Sequence, residues 1–113
     1  GTLALTLFWE PLAQTDVSFT VVTHHLDAEE RIWAQQDAQP CGGGCPTTAW
    51  VPGDLVADRY ELQVKPDAPP GPYEIELGMY DTASGRRLAV TDADGRPAGD
   101  RVLLPRMWVG PAR

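Results

Sequence analysis

Few residues in this chain have the types and spacing to do chemistry. Cys41 and Cys45 flank three glycines. A segment that flexible can bring two Cβ atoms to bridging distance. A disulfide is therefore the default in an oxidising compartment. Free thiols or a redox pair are the alternatives, although thioredoxin-like motifs place two residues, not three, between their cysteines. His24 and His25 are adjacent. Neighbours on a strand point to opposite faces, so the pair cannot easily share one ion, and the Cys/His spacing is wrong for zinc. The expectation is no metal: one histidine at the surface and the other half-buried and hydrogen-bonded. Asp92, Asp94 and Asp100 are an incomplete calcium series, better explained by a turn.

Asp58 has the parity of Val56 and Tyr60, the apolar side of its segment. A carboxylate there requires a partner. Backbone N–H groups of the preceding loop, or His24, could supply it. The residue reads as a structural anchor rather than a general base, because no nucleophile motif accompanies it. No Gly-x-Ser-x-Gly elbow, phosphate loop or His-Glu-x-x-His motif occurs. Trp50, in the loop, and Trp33 remain the aromatics that could stack on a sugar ring, with Asp58 as a nearby polar group. Capping the end of a sheet is the commoner role for such rings. Trp108 is similarly open, whereas Trp9, Phe19, Tyr60 and Tyr73 read as core by alternation.

The elements that must position these residues are strands. Residues 3–9 alternate, with Leu3, Leu5, Leu7 and Trp9 on one face. Residues 17–26 and 31–37 form a hairpin about the polar turn 27–30. Residues 39–54 are a long irregular loop. Strands follow over 55–64 and 73–79, then a short one over 88–90. The last, 101–109, contains Pro105, which marks an edge or a bulge. The core set is Leu5, Leu7, Trp9, Tyr60, Leu62, Ile75, Leu77 and Met79. Seven short strands with no competing helix pattern predict an all-β, seven-stranded antiparallel β-sandwich, immunoglobulin- or fibronectin-III-like, in one domain over residues 1–113.

Composition narrows the functions. The formal charge is -7, with 16 acidic against 9 basic side chains. That excludes nucleic acid as a natural partner and disfavours anionic membrane surfaces. No cofactor motif is present. The chain has no apolar run long enough to span a bilayer. It starts almost inside a strand without an initiator methionine, which reads as a domain cut from a larger protein.

An ordered series of short motifs carries a resemblance. It comprises Leu5-Thr6-Leu7-Phe8-Trp9, His24-His25-Leu26-Asp27, Trp50-Val51-Pro52-Gly53-Asp54, Asp58-Arg59-Tyr60, Pro69-Pro70-Gly71-Pro72-Tyr73, Gly78-Met79-Tyr80-Asp81 and Gly85-Arg86-Arg87-Leu88. Together they resemble the C-terminal soluble domain of bacterial membrane glycosyltransferases of the dolichyl-phosphate-mannose mannosyltransferase (family 39) type. Cys41 and Cys45 depart from that pattern. The resemblance implies a parent enzyme that uses a lipid-linked sugar donor, with its catalytic acids in the membrane portion. This piece is then a non-catalytic accessory domain on the extracytoplasmic face of a bacterial membrane. Its partner is the transmembrane catalytic portion of the same polypeptide, and it packs there or assists substrate recognition. The alternative is a stand-alone carbohydrate-binding module, with a glycan as partner. An exposed row of aromatic rings would favour the sugar, and an apolar patch with a polar border would favour docking.

Overall fold

The computed structural model describes residues 1–104 and the backbone of Met107–Val109. Pro105 and the Trp108 side chain lie outside the described residues. Strands β1 (Thr2–Trp9), β2 (Phe19–Leu26), β3 (Ile32–Ala38), β4 (Val56–Gln63), β5 (Gly71–Asp81), β6 (Val102–Leu103) and β7 (Met107–Val109) make up the regular structure. Two 3-10 turns, Pro40–Gly43 and Thr47–Ala49, are the helical pieces among the described residues.

β1 pairs with β4. The second sheet runs β3-β2-β5-β6, and β7 pairs with the start of β5. Every pairing is antiparallel. The two sheets face each other in a sandwich-like, all-β arrangement around Val21, Ala34, Tyr60, Leu62, Ile75 and Leu77. The period of two explains this division. In β4 every second residue from Asp58 to Leu62 is buried while its neighbours are exposed. β2 lies between β3 and β5 and is buried on both faces along most of its length.

Three expectations need correction. Residues 88–90 are not a strand. Arg87 bridges Tyr80 and the Leu88 N–H bonds the Met79 carbonyl, but further along that edge of β5 Glu76 and Leu77 pair with β6. Val90 turns away to pair with Gly99 and Ala98. The strand expected over 101–109 is two short strands, β6 and β7, held on different parts of β5. Finally, Leu5, Leu7, Trp9 and Met79 are only partly buried against the core, while Tyr60, Leu62, Ile75 and Leu77 are fully in it. The cause is position: β1 has a strand on one side alone among the described residues, so its inward residues border an opening.

Candidate functional site

At the start of β4 the long loop is tied down by one carboxylate. Asp58 is 0% exposed. Its Oδ1 accepts the Cys41 backbone N–H at 2.7 Å. Its Oδ2 accepts the Trp9 indole N–H at 3.0 Å and the Tyr60 hydroxyl at 2.5 Å. The partner is thus the loop backbone, one of the two expected, together with two aromatic side chains; His24 is not involved. Burial, reinforced by the bond to Asp58, pushes the Tyr60 hydroxyl well above its ordinary range. A carboxylate holding three donors in the interior acts as an anchor.

Cys41 and Cys45 form a disulfide with 5.2 Å between Cα atoms. Cys41 sits at φ 56°, a left-handed conformation uncommon outside glycine. The bridge and the bond to Asp58 both bear on this residue. Trp50 donates its indole N–H to the Cys45 carbonyl at 2.9 Å, and its ring lies 6.0 Å from that of Trp9. Thr47, buried beneath, accepts the Phe19 N–H and donates to the Val17 carbonyl. Of the three residues considered for ligand binding, Trp50 and Asp58 are therefore brought together through Trp9. Trp33 is not. It lies where β4 ends, its carbonyl accepting the Lys65 N–H. Its indole donates to Asp27 at 2.8 Å, and the Lys65 ammonium stands 5.9 Å over its ring. That bond, with others from Arg31 and Glu29, lowers the Asp27 carboxyl to about 2.

The histidines divide differently from expectation. His24 is the bonded one, between Glu76 at 2.9 Å and Asp37 at 3.2 Å. His25 is 1% exposed, and neither ring nitrogen has a hydrogen-bond partner among the described residues. Burial lowers its pKa. Glu76 also accepts Arg101 at 2.8 Å. Burial pushes this carboxyl up, but the bonds from Arg101 and His24 outweigh it and leave Glu76 below its ordinary value. This charged cluster escaped the sequence reading, although the outward parity of His24 and Glu76 was a usable signal. Among the described residues, no group of three or more His, Cys, Asp or Glu side chains could hold a metal ion. Asp92 instead accepts the N–H groups of Asp94 and Arg96 and closes its own turn.

The feature the sequence reading missed lies beside β1. A groove of about 620 Å³ runs between Leu7, Phe8 and Trp9 on one side and Leu77, Met79, Leu88, Val90 and Val102 on the other. None of its lining residues is charged. Leu12 stands at its rim 92% exposed, and Phe8 is 64% exposed. The sequence held a signal here: Thr2–Trp9 has no charged residue, and Leu88-Ala89-Val90 is apolar without being a strand.

No helix among the described residues is long and apolar enough to cross a membrane. Compared with known proteins, the chain matches no family model, no curated protein and no solved structure.

Proposed function

We propose that this chain is a non-catalytic accessory domain, immunoglobulin- or fibronectin-III-like in plan. It packs through the groove beside β1 against the membrane-embedded catalytic portion of a glycosyltransferase of the type its motifs resemble. The carrying observation is that groove: a contiguous, uncharged, apolar surface with Phe8 and Leu12 projecting at its edge. Exposed patches of this kind mark interaction sites. The Cys41–Cys45 disulfide supports an extracytoplasmic setting.

The carbohydrate-module reading is weaker on the same grounds. Trp50 and Trp33 both spend their indole N–H groups inside the fold, and each has a neighbour near its ring, Trp9 and Lys65 respectively. They lie at different ends of β4 and form no row.

The test is site-specific photo-crosslinking from position 8 in the full-length polypeptide that carries this domain. Crosslinks within the polypeptide to its membrane-embedded part are expected. Crosslinks to other proteins alone, or none, would overturn the reading. So would turnover of a lipid-phosphate sugar by the purified chain.

A further inference from the structure

We infer that β1 and its groove accept an added β-strand, supplied by an extended, uncharged segment of the docked portion of the polypeptide in which apolar and small polar residues alternate. The inference rests on the docking reading above and names the element that docks.

The first ground is the open edge. Among the described residues β1 has a neighbour on one side only, β4. Backbone N–H and C=O groups along an antiparallel strand face its two neighbours in turn, so about half of those of β1 face outward unpaired. Proteins normally blunt such an edge with lysine, proline or an inward charge. Thr2–Trp9 contains none of these over its 8 residues.

The second ground is the mismatch between the sheets. Two strands face a path of four. At roughly 4.8 Å per strand the smaller sheet falls about 10 Å short. The inner face left uncovered is where Leu77 and Met79 line the groove together with Leu7, Leu88 and Val102. A strand laid along β1 would pair the edge and send alternate side chains into this gap. That is the chemistry of β-augmentation.

The third ground is charge. The lining carries none, while the chain carries -7. A second copy would bring another such charge to the contact. Its own Leu3, Leu5 and Leu7 would already be packed against its own core and so could not fill the gap as alternate residues of an added strand. A lipid chain would fill the groove but leave the β1 edge unpaired. An uncharged, alternating strand satisfies both.

The probe is a peptide of about ten residues alternating valine and threonine between terminal lysines. A control of identical composition has its valines contiguous. Hydrogen exchange and chemical shifts are read by NMR on the labelled chain. Expected is saturable binding, with alternate β1 amides slowed at least about tenfold and shifts at Leu88 and Val90, for the alternating peptide alone. Leu88→Lys, an exposed change at the groove, should weaken binding about tenfold or more with an unchanged melting temperature; Val102→Lys serves if that variant is unstable. Equal binding of both peptides would overturn the inference. So would no binding, groove shifts without β1 protection, or β1 amides already protected by self-association of the free chain. Failure here with Phe8 crosslinking retained removes strand addition but not docking. Peptide binding without crosslinking removes the glycosyltransferase reading but not strand addition.

Discussion

His25 and Asp58 show opposite ways of burying a polar side chain. His25 packs its ring 4.5 Å from that of Tyr73, and its ring nitrogens have no hydrogen-bond partner among the described residues. Burial in the fold therefore disfavours its protonated form, whereas the unfolded chain takes a proton below pH 6.5. Its contribution to stability is present in full above that value and is lost as pH falls toward the lowered folded pKa. Asp27 contributes in the same sense further down, between 3.8 and about 2. The urea midpoint should thus drop between about pH 7.5 and about pH 5.5, and His25→Phe should remove most of that drop. A variant that kept the full drop would assign it to another group. Asp58 is the satisfied case. Asp58→Ala would strand the donors of Trp9, Tyr60 and Cys41, at a cost of about 3–5 kcal/mol in equilibrium unfolding. A loss under about 1 kcal/mol would mean that the carboxylate is not the anchor described.

Among the elements, the long loop and β5 carry separable loads. The Cys41–Cys45 bridge closes a very short loop, so replacing both cysteines with serine should cost only about 2 kcal/mol and leave the denaturant slope unchanged. A collapse of the fold would show that the bridge holds more than the loop. On β5, Leu77 belongs to the central cluster but also borders the groove. Leu77→Ala should lower unfolding free energy by about 2–5 kcal/mol, toward the smaller value because one side is already open. Denaturation curves decide both. Alternation placed β4 within a residue at each end, 55–64 against Val56–Gln63, because one face is buried and the other wet. It failed at 88–90, where an apolar run lines a groove and follows no ladder.

For the whole molecule, charge and the exposed groove oppose one another. At pH 7 the -7 charge opposes contact between copies, although β1 has a neighbour on one side only among the described residues. Near the isoelectric point of about 4.6 that repulsion vanishes. Sedimentation velocity should show a monomer at neutral pH and association near the isoelectric point, reduced in Leu88→Lys. Association at neutral pH and low salt would mean that the groove outweighs the charge.

Strands β1 to β5, most inward faces, the acidic character and the proximity of Cys41 to Cys45 were legible in the sequence. Each follows from local rules: a period of two, turn residues, charge counts and a tether of three glycines. It also showed that Asp58 needed a partner, since parity put a carboxylate on an apolar face. Which donors answered it, the separation of Trp33 from Trp50, and which histidine lacks a ring partner among the described residues were fixed by tertiary packing. Those outcomes depend on which strand lies beside which, and registers such as Leu7 opposite Asp58 join residues far apart in the chain. The groove belongs to the same class. It exists because, among the described residues, β1 pairs with β4 alone while β5 gathers β2, β6 and β7, an inequality of sheets that no segment of sequence expresses locally.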